Sequence, residues 1–505
     1  MIAVWYSILL LVLLASAGSA STLYSTQADQ VQAAEAINAS PGLVALYGPI
    51  LDVHSKGELA MTKMTVVYAV LVALMLLFVV RRHTRMDEEN GQAELLGGTA
   101  LRTTGPLAAA LTFGAGVSVA LGLLAAAGNI ATGLPVAGSL AFGACWAGTG
   151  LVATGLTALA CQISPSARTC AGIAVSAILG LFVVRAVGDT TEASWLSWLS
   201  PFGWNTHLRA FSETRWWVLL LYIASAAALA GAAWTLRLSR DLGGGLVAPR
   251  PGPATGSPRL ADAIALSLRV HAPMLVGWTV GMAVLGLVFG AISPSFDAFD
   301  SPSIQQMLQR LGGAGAFRDT LLGAVVSVVA LIVTCFAIAV VNHGGSDEQD
   351  GRTEQILATA TSRTRAFVAT AIVAIGGATW LLAVVGVGLA IGVGNDTGHS
   401  FARLVASPLS QAPAVWTVIA LSLLCYALRS RWAILGWGLL VVFATLGQIG
   451  ELLNLPDWTL QLSPFTHSPA MPLQPFELGP ALALTGIAAA VLVGAWLRFR
   501  GRDIG

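Results

Sequence analysis

Long apolar blocks separated by short polar intervals fill the chain from end to end. A helix needs roughly 20 apolar residues to cross the hydrocarbon of a bilayer. Twelve blocks approach or exceed that length. Six lie at about 2–20, 62–82, 106–128, 136–161, 169–187 and 217–236, and six more at about 274–293, 320–342, 366–394, 412–428, 431–449 and 479–497. In lipid the backbone must satisfy its own polar groups, so blocks of this kind are helical. The pattern predicts an all-α polytopic membrane protein with about 12 transmembrane helices, numbered here as spans 1–12.

The polar intervals repeat. "DEENGQAE" (Asp87–Glu94) follows span 2 and "DEQDGRTE" (Asp347–Glu354) follows span 8. His83 matches His343, "WLSWLSPF" (Trp195–Phe202) matches "WTLQLSPF" (Trp458–Phe465), and "WTLRLSRDLG" (Trp234–Gly243) matches "WLRFRGRDIG" (Trp496–Gly505). Offsets of 260, 263 and 262 divide the chain into two tandem six-span halves, about 1–242 and 260–505. An even number of spans gives both halves one orientation, related by an axis along the membrane normal. The Gly/Pro-rich stretch 243–259 reads as a linker between them. Arg259–Leu275, with Leu260, Ile264 and Leu268 on one apolar stripe, reads as an interfacial elbow helix opening the second half. The first half shows no such segment ahead of span 1. A cleavable leader ending in "SAGSA" is the rival reading of residues 1–20. No basic stretch precedes it, and its loss would leave five spans in that half.

Composition agrees with the pattern. Of 505 residues 56% are hydrophobic and 10% charged, with mean hydropathy +0.76, against roughly 25% charged in soluble chains. A net charge of +1 gives no reason to expect nucleic acid. The five cysteines fall in or beside spans without metal or disulfide spacing, and the seven histidines are scattered, so no metal site is expected. Eighteen of the 26 Lys and Arg residues, Arg81, Arg85, Arg240, Arg363 and Arg500 among them, lie on the octad side of the spans. Positively charged loops stay in the cytoplasm. Both octads, the linker and both termini are therefore expected there.

On one helix, positions i, i+4, i+8 and i+11 share a face. His83, Asp87, Gly91 and Glu94 have this spacing, as do His343, Asp347, Gly351 and Glu354. We read the stripe, with Glu88 and Glu348 beside it, as an acidic docking surface for a cationic partner, its glycine allowing close approach of another backbone. The competing reading is a helix-capping turn.

Ordered along the chain, "RRHTRMDEENGQAELL", "LFVVRAVGD", "LSPFGW" and "RDLGGGLVAPRPGP" resemble the fused membrane subunits of ABC-2 type exporters, most closely the actinobacterial polyketide-antibiotic (tetronasin-type) permeases. The resemblance covers nearly the whole chain. It implies two six-helix repeats of the type V exporter kind and coupling helices at Asp87–Glu94 and Asp347–Glu354. It also implies re-entrant outer segments at 189–216 and 451–478, which carry Trp195, Pro201, Phe202, Trp458, Pro464 and Phe465. The implied partner is a separate ABC ATPase, two copies, holding ATP and Mg; this chain would bind no cofactor. The implied cargo is a hydrophobic or amphipathic compound such as an antibiotic, moved outward across a bacterial plasma membrane.

Neither lysine, Lys56 or Lys63, sits in a P-loop pattern, so ATP hydrolysis is not expected of this chain. Ionisable residues inside spans are functional candidates. Arg185 lies four residues before Asp189, and its counterpart position holds Gln448 with Glu451 close by. The four suggest an outer gate or substrate contact, or a structural pair closing the span. Trp195, Trp198, Trp204 and Trp458 suit an interfacial belt. Met75, Phe78 and Phe336 line an apolar path or pack against lipid. A major-facilitator secondary transporter also has six plus six spans, but "TRMDEENGQAELLGG" lacks its Gly-Asp-Arg-Gly-Arg signature. No nucleophile–base set supports a membrane enzyme.

Overall fold

The computed structural model describes residues 2–23, 26–98, 102–247, 254–255, 260, 262–292, 314–394, 400–448, 456–469, 471 and 476–503. The chain forms two compact units, Met1–Gly252 and Pro253–Gly505. Among the described residues the structure is helical, with eleven helices long and apolar enough to cross a membrane and a further apolar helix at the start. This is an all-α polytopic membrane protein.

In the first unit the spans are Ile2–Leu23, Lys56–Arg81, Gly105–Ala131, Val136–Ile163, Ala167–Thr190 and Leu219–Leu238. Glycine decides how they meet. A Cβ on Gly122 of span 3 would stand 2.4 Å from the carbonyl oxygen of Gly143 on span 4, and one on Gly143 would stand 2.3 Å from that of Gly122. Gly148 receives the ring of Tyr222 on span 6. Small residues let helices pack backbone to backbone, which is where membrane helices gain their contact energy. Trp146, fully buried on span 4, donates its indole N–H to the carbonyl of Met64 on span 2 at 2.9 Å.

The second unit holds Ala263–Ile292, Ala314–Gln349, Arg363–Val393, Ala412–Leu428, Leu435–Gln448 and Leu478–Gly501. Here the tightest approach joins spans 7 and 9. Gly286 and Gly290 face Gly388 and Gly392, and a Cβ at any of them would fall 2.4–2.7 Å from a backbone oxygen of the other helix. An amphipathic helix, Phe401–Leu409, precedes span 10, which the apolar pattern alone places only from 412.

One expectation changes, and the linker gains detail. The segment read as a separate elbow runs without a break into span 7, within Ala263–Ile292, and carries Pro273 in its interior. Continuous helix is favoured because the apolar face of 264–275 extends that of the span. The start of the linker is not free chain. Leu246 and Val247 donate their N–H groups to the carbonyls of Gln162 and Ile163 at 3.0 and 2.9 Å, extending the end of span 4. Gly245 presses against Ser164 and Pro165, where a Cβ would lie 2.6 Å from the Pro165 nitrogen.

Candidate functional site

Each octad is a helix–turn–helix. Span 2 continues through a π-helical turn, Arg82–Met86, into Asp87–Glu89, then turns at Asn90 and Gly91 and resumes as Gln92–Gly97. Span 8 runs on to Gln349, turns at Gly351 and resumes as Arg352–Leu357. Gly91 and Gly351 have φ of 71° and 72°, the left-handed conformation that glycine adopts at low cost where a helix ends. Nothing lies within 4 Å of a Cβ built on either. Within each unit these glycines serve the turn rather than a close approach. The turn also divides the expected stripe: His83 and Asp87 lie on the first helix and Glu94 on the second, as do His343 and Asp347 against Glu354.

The acids of the octads have separate environments. Glu88 turns inward, its carboxylate 2.6 Å from the Arg85 guanidinium and 2.8 Å from that of Arg240 just beyond span 6. Arg240 also donates to Gln162 Oε1 at 2.7 Å and to the Gly244 carbonyl at 2.9 Å, and Arg85 Nε donates to the Cys161 carbonyl at 3.1 Å. Glu348 pairs with Arg502 just beyond span 12 at 2.5 Å, and Arg502 donates to the Tyr426 carbonyl of span 10 at 3.0 Å. Side-chain exposures are 10% and 7% for Glu88 and Arg240, and 11% and 9% for Glu348 and Arg502. Two repeated motifs, the octad and the Arg-Asp-Leu/Ile-Gly ending, are thus the two jaws of one clamp in each half.

Glu89 accepts the N–H of Ala167 at 2.6 Å and caps span 5. Asp347 contacts Arg352 at 2.8 Å and His343 at 3.6 Å, and Asp350 contacts Arg352. Asp87 lines a cleft of about 100 Å³ with Arg102, Arg237 and Arg240. The rings of His83 and His343 pack edge-on against Phe113 and His271. Glu94 and Glu354 remain exposed. Of the acids read from the sequence as one exposed stripe and its flank, Glu88 and Glu348 are taken up by pairs inside their own half.

At the opposite end of the first unit, Arg185 is fully buried. Its guanidinium lies 2.7 Å from Asp189 and donates to the carbonyls of Val44 and Ala45 at 3.1 and 2.8 Å. These carbonyls end the short helix Pro41–Tyr47, whose C-terminal partial charge suits a cation. Gly48 follows at φ 98°, where a Cβ would meet Arg185 Nη2 at 2.8 Å. Arg185 thus fastens the segment between spans 1 and 2 onto span 5. Gln448 ends span 11, and Glu451 lies outside the described residues.

The segment carrying the first Leu-Ser-Pro-Phe motif sits beside this pair. Pro201 and Phe202 are buried on the helix Pro201–His207, and Trp195 is exposed. Asn205, which the sequence reading passed over, is the fastener. It donates to the Thr65 carbonyl of span 2 at 2.8 Å and accepts from Thr149 of span 4 and from the Tyr222 hydroxyl of span 6. In the second unit Pro464 and Phe465 are again buried and Trp458 is 73% exposed. Ser463 donates to the Phe443 carbonyl at 2.9 Å. Met75 and Phe336 are fully buried within their halves, Phe336 against Trp278, whereas Phe78 is exposed and stacks on Trp5.

His207 stacks on Trp198 with ring centroids 3.9 Å apart and hydrogen-bonds Ser197 Oγ at 2.6 Å. Burial, aided by the charges of Arg215, Arg209 and Arg185, pushes its pKa down to about 4. An unfolded histidine titrates near ~6.5. Between these values the unfolded chain binds a proton that the folded chain refuses, so this contribution is complete above about pH 6.5 and declines as pH falls toward 4. The thermal midpoint of the purified protein should therefore drop between pH 7 and pH 5, and His207→Gln should reduce that drop. An unchanged pH slope in the variant would show that His207 is not its source.

The model of the "Multidrug efflux system permease Rv1217c, C-terminal domain" matches residues 260–500. Over 491 residues the chain is 36% identical to the multidrug efflux system permease protein Rv1217c of Mycobacterium tuberculosis, covering 96% of this chain and 89% of that protein. With its two helical units and its polar clamps at one end of each, this chain belongs to the family of the multidrug efflux system permease Rv1217c.

Proposed function

We propose that this chain is the transmembrane subunit of an ATP-driven ABC-2 type exporter that moves hydrophobic or amphipathic compounds, antibiotics among them, out across the bacterial plasma membrane. The observation that carries the reading is the clamped octad. In each half a helix–turn–helix is locked by a buried carboxylate–guanidinium pair to the end of the last span, while other acids, Glu89 and Glu94 in the first and Asp350 and Glu354 in the second, stay exposed. A lever of this kind transmits force only if it is rigidly joined to the helices it moves. Two copies of an ATPase, binding ATP and Mg, would each press on one octad from the cytoplasm, where both termini also lie. The clamps would pass that motion to spans 4 and 6 and to spans 10 and 12, opening a path outward. Alternating access driven this way needs no nucleotide site here.

The test pairs the chain with a separately produced ABC ATPase from the same organism. Glu94→Arg together with Glu354→Arg should abolish cargo-stimulated ATP hydrolysis and leave the unfolding temperature within about a degree, since exposed charges contribute roughly 0–1 kcal/mol to folding. Wild-type coupling in that variant would remove the docking role. Cargo efflux by the chain alone in proton-loaded vesicles would instead establish a secondary transporter.

A further inference from the structure

An apolar groove of about 640 Å³ runs between spans 9 and 12 of the second unit, walled by Phe367, Ile372, Ile375, Leu492, Val493 and Trp496. Its end toward the octad is polar and cationic. Trp496 donates its indole N–H to Thr364 Oγ1 at 3.2 Å. The Arg500 guanidinium lies over the Trp496 ring, 5.7 Å from its centroid, and Arg363 donates to the Arg500 carbonyl at 3.4 Å. Arg365 and Arg498 are exposed nearby in sequence. The internal repeat provides a comparison. At the positions of Arg498 and Arg500 the first half has Leu236 and Leu238, and its nearby cations, Arg102 and Arg237, line the cleft that also holds Asp87 and Glu88. Arg363 and Arg500 therefore give this groove a cationic end, whereas the first half's arginines share their cleft with carboxylates.

We propose that the groove is a binding site for an anionic phospholipid, one acyl chain lying along Ile372 and Val493 and the phosphate held by Arg363 and Arg500. The chemistry fits both ends: a hydrocarbon chain gains from apolar contact, and basic pockets between spans on the cytoplasmic side attract anionic headgroups. A zwitterionic lipid offers the same chain but no net charge. The site is separate from the octad clamp and does not depend on how transport is powered.

Native mass spectrometry of the full chain in detergent tests it, with phosphatidylglycerol and phosphatidylcholine of equal chain length supplied in turn. Phosphatidylglycerol should be retained at least about tenfold more strongly, the scale expected from two cations near the membrane surface. Arg363→Gln with Arg500→Gln should remove that preference. Gly376 lines the groove with open space where a Cβ would stand. Gly376→Leu should therefore weaken retention of both lipids without altering the charge or the fold. Equal retention of the two lipids by the native chain would overturn the proposal. So would an unchanged preference in the double arginine variant, or displacement of the lipid by glycerol phosphate at the same concentration, which would mark a site for soluble anions.

Discussion

Glu88→Ala should be among the most damaging single substitutions in the chain. It leaves the guanidinium groups of Arg85 and Arg240, with side-chain exposures of 0% and 7%, facing each other without the carboxylate that separates them. Removing one partner of a buried ion pair costs about 3–5 kcal/mol, because the surviving charge stays desolvated. Here two charges survive, so the upper end of that range is expected. Glu348→Ala removes the equivalent partner of Arg502, where a single guanidinium is stranded, and should cost less. Denaturant unfolding of the purified protein in detergent measures both. The charge swap Glu348→Arg with Arg502→Glu should recover part of the loss, since contacting residues couple by roughly 0.5–3 kcal/mol. No recovery in the swap would mean that the backbone contact of Arg502 to Tyr426, rather than the ion pair, holds the turn. The first half is also the better braced, through Gln162, Cys161 and Gly244. A Gly occupies position 345, the counterpart of Arg85.

Arg185→Met should release the segment between spans 1 and 2. The substitution conserves much of the volume but leaves Asp189, 5% exposed, without its counter-ion, and removes the guanidinium donors to the carbonyls of Val44 and Ala45. A loss of about 3–5 kcal/mol is again expected for a stranded buried charge. Unlike the clamp variants, its first effect should be local. Hydrogen exchange of Pro41–Tyr47 should accelerate strongly, with spans 3 and 4 little changed. Arg185→Lys should not rescue it, because one ammonium lacks the planar fork that reaches a carboxylate and two carbonyls together. Full protection of Pro41–Tyr47 in the lysine variant would show that charge alone suffices.

The helical class and the twelve apolar spans follow from local pattern, because a lipid-crossing helix is defined by a run of neighbours along the chain. The repeat of octads and of the Arg-Asp-Leu/Ile-Gly endings is likewise a property of the string, and it marked both jaws of each clamp. Their union was not legible there. Glu88 and Arg240 are 152 residues apart, and Glu348 and Arg502 are 154 apart. No period along the chain reports that such residues meet. The helical period itself misled at the octads, since it assumes one unbroken axis and Gly91 and Gly351 turn that axis at positive φ. Which acids stay outside, which glycines meet a neighbouring backbone, and whether residues 264–275 stand apart from span 7 depend on what packs against each. Helix packing is set by shape across distant segments and not by hydrophobicity, which in a membrane is alike on every face. Tertiary contact alone therefore turned two acidic octads of similar sequence into clamps, with Glu88 and Glu348 drawn inward and Glu94 and Glu354 left exposed.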